Sequence, residues 1–201
     1  MNQQNIGARP VGKIGILAGL LMNLIHQGQY ARIIREIAGR VDGRVDAIVD
    51  IGCGGGIALK EFAKVYQNAR VIGVDYSRDM VALAQRTNRR NCQSGRAEIK
   101  HASVENMPLE PGSMDIVTAF DNINFWEDHE AALREIKRIL RKGGKFFIIN
   151  GFPAVGSKWY EFVKFKNEEA YENLLSRGGF KVISIAVEKE TIMIKSENPG
   201  D

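Results

Sequence analysis

The chain has 201 residues, of which 44% are hydrophobic and 26% are charged, and its formal net charge is +4. A chain of this size and composition can bury its own core as a single domain, which argues against a disordered, fibrous or membrane-spanning protein. The small positive charge does not by itself imply a nucleic-acid partner, and we expect no DNA binding. The two cysteines, Cys53 and Cys92, show no metal-ligand spacing. We therefore predict no metal site and a reducing, cytoplasmic location.

The N-terminal segment has the pattern of an amphipathic helix. Apolar residues follow helical spacing between Ile14 and Ile25, and the pattern continues to Ile37, with Gly28 as a point where the helix could divide. The run up to Ile25 is too short to span a bilayer, and no small-residue cleavage site follows it. We therefore expect neither stable membrane insertion nor a removed signal peptide, and we assign residues 1–40 to an N-terminal arm and lid helix.

From residue 41 onward, short apolar runs alternate with segments of helical periodicity. The apolar runs predict strands at residues 47–51, 71–74, 98–101, 115–120, 145–150, 180–187 and 191–195, and the continuous apolar character of residues 47–51 indicates burial on both faces. The helical segments include residues 131–140, which the pair Gly143-Gly144 is predicted to stop. This alternation predicts an α/β fold: a Rossmann-like, seven-stranded, mostly parallel sheet with helices on both faces and a C-terminal antiparallel hairpin. We assign residues 41–201 to this one domain.

A glycine-rich loop follows the first strand, where the chain reads Asp50-Ile51-Gly52-Cys53-Gly54-Gly55-Gly56. Glycines let the chain turn sharply and let its backbone approach a ligand closely. A dinucleotide-binding loop needs glycine or alanine three positions after its second glycine, and that position is Ile57. The carboxylate of Asp50 would repel a pyrophosphate but suits the amino group of an amino-acid-like ligand. Asp75, at the end of the second strand, can accept hydrogen bonds from both ribose hydroxyls of an adenosine-type ligand, or can cap the next helix.

These features resemble the class I S-adenosylmethionine (SAM)-dependent methyltransferases, in particular a small bacterial group with a UbiE-like methyltransferase domain. The resemblance covers most of residues 45–150 in order, in the segments VDIGCGGG (49–56), VIGVDYSRDMVALA (71–84), ASVENMPLEPGSMDIVTAF (102–120) and HEAALREIKRILRKGGKFFIIN (129–150). It implies an enzyme that uses SAM as cofactor and releases S-adenosylhomocysteine (SAH). The N-terminal segment resembles the lid of that group.

The resemblance also implies roles for the cofactor residues by position. The backbone of Gly52, Cys53 and Gly54 is expected to face the methionine part of the cofactor. Asp50 is expected near the amino group, and Asp75 at the ribose. The other cofactor residues are expected around the adenine and along the methionine side: Tyr76, Met80, Ser103, Val104 and Phe120. The family usually has aspartate where Ser103 stands, and serine is a neutral and shorter hydrogen-bond partner.

The acceptor side of the site is marked by fewer residues. The segment 121–126 follows the fourth strand and is expected beside the transferable methyl group. Asn124 is the candidate for orienting an acceptor, and His26 and Tyr30 are candidates for a lid contact or a general base; for His26, simple capping or packing is the alternative. The chain lacks the proline-rich run, the Pro-Cys pair and the second Asp-Asn pair of methyltransferases that act on base amino groups, cytosine carbon and catechols.

The sequence therefore predicts methyl transfer to a small-molecule acceptor by in-line displacement at the sulfonium methyl. Two alternatives stay open: a non-catalytic SAM-binding regulator or subunit, and an RNA or protein methyltransferase. The apolar face of the N-terminal helix could instead pair two subunits as a homodimer. The densest basic stretch is interpreted as a solvated helix end and loop rather than a phosphate-binding patch; its residues are Arg86, Arg89, Arg90, Arg96 and Lys100.

Overall fold

The computed structural model describes residues 27–158 and 160–200, so His26 and the segment before it lie outside the described range. Within the described range, helix α1 covers residues 27–39 and includes Gly28 near its first described residue. The other helices are α2 (Ile57–Val65), α3 (Arg78–Thr87), α4 (Arg89–Gln93), α5 (His129–Ile139) and α6 (Glu168–Arg177). The strands are β1 (Ala47–Ile51), β2 (Arg70–Asp75), β3 (Ala97–His101), β4 (Met114–Phe120), β5 (Leu140–Gly151), β6 (Lys181–Glu188) and β7 (Thr191–Glu197).

The seven strands form one sheet in the order β3-β2-β1-β4-β5-β7-β6. Strands β1 to β5 pair in parallel, whereas β7 runs antiparallel to both β5 and β6. The predicted fold class, with its closing hairpin and one antiparallel strand, is confirmed. The strand order reverses between β1 and β4, so the carboxyl ends of these two strands border the crevice where ligands bind in open α/β sheets.

Both faces of the sheet are buried, because helices cover each of them. One apolar cluster joins β1, β4 and β5 to helices α5 and α6, and the other joins the opposite face to α1 and α2. Strand β1 shows the alternation directly: Val49 belongs to the first cluster and Ile48 to the second. In α1, Ile33, Ile34 and Ile37 are at most 1% exposed, so this helix contributes to the core. In the described part of the chain, no helix has the length and apolar character needed to cross a membrane.

The end of α5 differs from the prediction. The helix ends at Ile139, and Leu140 is already extended and begins β5, so the Gly143-Gly144 pair lies inside the strand instead of stopping the helix. Gly143 has a φ of 75°, and the pairing of β4 with β5 shifts register across this bend. The backbone N–H of Gly143 donates to the carbonyl of Asn198, and the N–H of Asn198 donates to the carbonyl of Gly144, so both glycines are held in the bend against the sheet.

Helix α4 is an element that the sequence did not predict. It is a single polar turn and a half with no buried residue, so it has no apolar periodicity to reveal it. It follows directly on α3 through Asn88, which is 2% exposed. The amide of Asn88 donates to the carbonyls of Gly56 and Ala84, at 2.8 and 3.1 Å. These contacts fix the junction of α3 and α4 against the start of α2.

Candidate cofactor and acceptor site

The glycine loop between β1 and α2 uses left-handed backbone conformations that favour glycine. Gly52, Gly54 and Gly56 have φ values of 61°, 50° and 78°. A Cβ added at Gly52 would lie 2.7 Å from Nδ2 of Asn122, so this position is also closed by packing. A Cβ added at Gly54 would meet nothing within 4 Å. Gly52 is therefore packed against Asn122, whereas the backbone at Gly54 is open to an approaching ligand.

Asp75 joins the glycine loop to the end of β2. Its Oδ2 accepts from the backbone N–H of Gly54 at 2.9 Å, and its Oδ1 accepts from that of Ser77 at 2.8 Å. Burial raises the pKa of Asp75, although both hydrogen bonds act in the opposite direction. Each carboxylate oxygen keeps a second lone pair. Asp75 can therefore hold the loop and still accept from hydroxyl groups of a ligand, whereas the cap of α3 is Ser77.

Asp50 lies at the end of β1 and is 2% exposed. It sits directly opposite Thr118 in the register of β1 and β4, and the Thr118 hydroxyl donates to Oδ1 of Asp50 at 2.7 Å. Burial raises the pKa of Asp50 to about 7, with the nearby charge of Asp75 contributing to the rise and the Thr118 hydrogen bond opposing it. Two buried carboxylates at neighbouring strand ends make this a place where a cation is stabilised.

The other predicted cofactor residues surround this pair of carboxylates in different ways. Tyr76 is 44% exposed and follows Asp75 directly, while Met80 is 3% exposed in α3. The thiol of Cys53 is buried against Gly73 of β2, and burial raises its pKa, so only its backbone can face a ligand. Ser103 and Val104 follow β3. The Ser103 hydroxyl donates to Glu105, which places a carboxylate next to the position where the family usually has aspartate.

The segment after β4 is tied to three parts of the fold. Asp121 has a φ of 51°, and its Oδ1 accepts from the backbone N–H of Gly151 at 2.7 Å, at the end of β5. The side-chain amide of Asn122 donates to the carbonyl of Ile51, and its oxygen accepts from the indole of Trp126. Oδ1 of Asn124 accepts from the backbone N–H of Lys164 at 2.9 Å. Asn124 thus anchors a second chain segment next to the site.

Helix α1 reaches this end of the sheet through Tyr30. The Tyr30 ring lies 4.7 Å from that of Phe120, centroid to centroid, and Phe120 ends β4. Burial, together with the charges of Asp121 and Asp50, raises the pKa of the Tyr30 hydroxyl. Tyr30 therefore stays protonated at neutral pH and can donate a hydrogen bond. The structure places Tyr30 beside Phe120 and near the charge of Asp50, while His26 lies outside the described residues.

Two residues that help to build the site were not singled out from the sequence. Thr118 reads as an ordinary interior strand position, and only the register of β1 with β4 shows that it faces Asp50. Asn122 had a usable signal, because it is a polar residue directly after a buried strand. Within residues 27–158 and 160–200, no group of three or more His, Cys, Asp or Glu side chains is placed to hold a metal ion.

Comparison with known proteins shows which family this chain resembles. A model described as "Methyltransferase domain" matches residues 49–148. The O-methyltransferase rstn1 of Aspergillus nomiae is 27% identical over 171 residues, which span 80% of this chain and 76% of that protein. The O-methyltransferase cnsE of Penicillium expansum is also 27% identical over 171 residues, which span 80% of this chain and 62% of that protein.

A solved structure shows the same fold. The protein from Methanococcus maripaludis, for which SAM-dependent methyltransferase activity is proposed, superposes with a TM-score of 0.78 at 25% identity, covering 92% of this chain and 94% of its own. The sheet order, the glycine loop and the two strand-end carboxylates define a SAM-binding α/β domain. The chain belongs to the class I SAM-dependent methyltransferases, with SAM as its cofactor.

Proposed function

We propose that the protein transfers a methyl group from SAM to a hydroxyl oxygen of a small molecule. The observation that carries the cofactor half of this proposal is the pair of buried carboxylates, Asp50 and Asp75, beside an open backbone at Gly54. SAM has an ammonium group and a sulfonium centre, and both are cations that these carboxylates would stabilise. The hydroxyl acceptor is suggested by the relatives, two of which are named O-methyltransferases.

The residues around the cofactor would hold it at both ends of its length. Asp50, fixed by Thr118, would pair with the ammonium group, and the open backbone of Gly54 would lie against the methionine part. Asp75 would accept from the ribose hydroxyls, and the exposed ring of Tyr76 would lie on the adenine. Met80, Ser103 and Val104 would complete the adenine side. When bound, SAM supplies an activated methyl group on a sulfonium, so the protein chiefly needs to align an acceptor with it.

The acceptor would lie between Tyr30 and the segment 121–126. Tyr30 can donate a hydrogen bond to the acceptor oxygen, because its own hydroxyl remains protonated. Asn124 would orient the acceptor indirectly, because its side chain holds the backbone of Lys164 in place. His26, which lies outside the described residues, would be the general base or a lid contact. In-line displacement would form the oxygen–methyl bond as the methyl–sulfur bond breaks and SAH leaves, with the hydroxyl proton passing to a general base; it needs the oxygen, carbon and sulfur aligned and water excluded.

The test is a transfer assay with methyl-labelled SAM. The acceptors are hydroxylated aromatic and aliphatic compounds, with amines, thiols and an RNA oligonucleotide as the other classes, and a cell-derived extract of small molecules as the widest source. We expect SAH to form in step with a labelled methyl ether. Transfer to RNA or to a protein would show that the acceptor is a macromolecule and not a small molecule. SAH binding without transfer to any compound in the panel or the extract would instead indicate a regulator or a partner subunit.

A further inference from the structure

A second concave surface lies away from the cofactor site. It is a groove of about 730 Å³ between α2 and the junction of α3 with α4, and Arg96 borders it just before the start of β3. The cofactor site lies at the carboxyl ends of the parallel strands, whereas β3 begins at the opposite edge. No residue assigned above to the cofactor or the acceptor lines this groove. It therefore needs its own explanation.

The groove is strongly cationic. Six of its lining residues are basic and none is acidic; the six are Lys60, Lys64, Arg86, Arg89, Arg90 and Arg96. The six positive charges of the groove outnumber the formal net charge of the whole chain, which is +4. Like charges gathered in a concave surface repel one another and raise the local concentration of anions. The groove is thus a place where an anion would be stabilised.

Most of these charges are not neutralised by the protein. Lys64 pairs with Glu61 at 2.6 Å. Lys60, Arg86, Arg89 and Arg90 form no ion pair with any described residue. The three arginines of this set are exposed to solvent. Their guanidinium groups are free to bind phosphate oxygens, which they match with two parallel hydrogen bonds.

Two buried polar atoms on the same groove have no hydrogen-bond partner among the described residues. They are Nε of Arg96, a donor, and Oδ1 of Asn88, an acceptor. The Arg96 guanidinium is held by the carbonyls of Ala63 and Tyr66, at 2.6 and 3.4 Å, so it cannot turn away to find another partner. Asn88 is 2% exposed and its amide nitrogen is already engaged. Other buried atoms without a partner, such as the Tyr66 hydroxyl, occur among the described residues, so these two atoms support a ligand only together with the cationic lining of the groove.

We propose that this groove binds a small organic polyphosphate of the nucleoside triphosphate class. The phosphates would lie among the arginines and Lys60, and Nε of Arg96 would donate to one of their oxygens. A hydroxyl or amino group of the nucleoside would donate to Oδ1 of Asn88. The volume is that of a small-ligand pocket. No aromatic side chain lines the groove, which disfavours a single-stranded nucleic acid, because such ligands stack their bases on aromatic rings.

This assignment revises the interpretation of the basic stretch that the sequence alone suggested. Arg86, Arg89, Arg90 and Arg96 converge on one groove with Lys60 of α2, which is distant in sequence. Lys100 is separate, because it pairs with Glu98 at 2.5 Å on β3. Only the tertiary structure separates the four arginines from this paired lysine.

The test is calorimetry of the full chain with the cofactor site filled by SAH. Tripolyphosphate and ATP are titrated separately and in competition, with adenosine and a 20-nucleotide RNA as further ligands. We expect tripolyphosphate and ATP to compete for one saturable site and to bind it more weakly as the salt concentration rises. Adenosine, which has no phosphate, should not bind. Failure of tripolyphosphate to saturate at about 5 mM in low salt would overturn the proposal, because charge attraction is then at its strongest.

A matched pair of variants locates the binding. Arg89→Gln with Arg90→Gln removes two groove charges, and Arg35→Gln with Arg177→Gln removes two exposed charges elsewhere. We expect the first variant to weaken ATP binding by about tenfold or more and the control to change it less than about twofold, with SAH affinity unchanged in both. Equal weakening in both variants would overturn the groove assignment. So would an RNA affinity well above that of ATP that the groove variant abolishes, since the groove would then be a nucleic-acid surface.

Discussion

Asp50 is a residue whose protonation is linked to stability and, on the proposed function, to cofactor binding. Its pKa is raised from 3.8 to about 7, mainly by burial. The folded protein therefore binds a proton that the unfolded chain releases above about pH 4. The contribution of Asp50 to the free energy of unfolding is greatest below this pH, falls as pH rises from about 4 to about 7, and stays low above it.

A bound cofactor should instead favour the deprotonated form of Asp50. The ammonium group would favour the Asp50 carboxylate and lower its pKa, so that SAH binding near pH 6 releases up to about one proton. Affinity for SAH should rise from pH 5 to about pH 7 and then level off. Calorimetry in two buffers of different ionisation enthalpy measures the released proton. Asp50→Asn should abolish the release, and proton uptake by the wild type would contradict the assignment.

The hydroxyl of Tyr30 gives a second test at the scale of one residue. It lies close to the charges of Asp121 and Asp50, and its ring packs on Phe120. Tyr30→Phe keeps the ring and removes the donor, so we expect SAH affinity to change less than about threefold and methyl transfer to fall about tenfold or more. Steady-state rates with labelled SAM give the second value.

The matched control for Tyr30 is Tyr66→Phe. The Tyr66 hydroxyl is buried and has no hydrogen-bond partner among the described residues, so its removal should leave transfer unchanged. Equal rates for Tyr30→Phe and the wild type would show that Tyr30 is only a packing residue.

At the scale of an element, substitutions in the glycine loop should affect the free energy of unfolding and the affinity for SAH to different extents. Gly52→Ala forces a side chain into a left-handed backbone and against Asn122, so we expect a loss of about 2–4 kcal/mol in the free energy of unfolding. Gly54→Ala has the same backbone penalty but open space, so it should lose about 1–2 kcal/mol. Its methyl group would lie where the cofactor approaches, so SAH affinity should fall about tenfold or more.

Gly112→Ala is the control for the glycine loop. Gly112 has a φ of 62° and, like Gly54, nothing within 4 Å of an added Cβ, but it lies in the turn before β4. It should show the backbone penalty alone, with unchanged SAH affinity. Chemical denaturation and calorimetry measure the two quantities. Wild-type SAH affinity in Gly54→Ala would place the cofactor elsewhere.

The N-terminal segment is the second element with a test of its own. Deletion of residues 1–26 leaves the described part of α1, with its three buried isoleucines and Tyr30, in place. If the deleted segment is a lid that includes His26, the shortened protein should fold and bind SAH within about tenfold of the full chain but lose methyl transfer. Retained transfer with a change from dimer to monomer by light scattering would assign the segment to a subunit interface instead.

For the whole molecule, cofactor binding should be visible as added stability. SAH at 100 times its dissociation constant should add about 2.7 kcal/mol to the free energy of unfolding. In a chain of this size that corresponds to a rise in melting temperature of about 5–10 °C. NAD at the same concentration should give no shift, because the carboxylate of Asp50 at the end of β1 would repel a pyrophosphate bound at the glycine loop. Thermal unfolding with each ligand distinguishes the two, and a shift with NAD alone would contradict the cofactor assignment.

The sequence by itself determined the fold class and the place of the glycine loop and of Asp50 and Asp75 at the ends of β1 and β2. The period of its apolar residues fixes which segments become strands and which become helices, and the glycines after β1 have a backbone requirement that few other residues meet. Strand β1 was predicted with its observed bounds, Ala47–Ile51. These are local properties, and local properties can be read from the order of residues.

The tertiary structure alone decided the contacts between segments that are distant in sequence. Thr118 meets Asp50 through the register of β1 with β4, and Tyr30 meets Phe120 because α1 packs on the sheet. The cationic groove exists only because α2 is brought beside the junction of α3 and α4. Such contacts depend on register and packing between elements, which no periodicity within one segment encodes. The positions of Asp50 and Asp75 at the ends of β1 and β2 can be read from the sequence, but their raised pKa values result from burial in the folded structure.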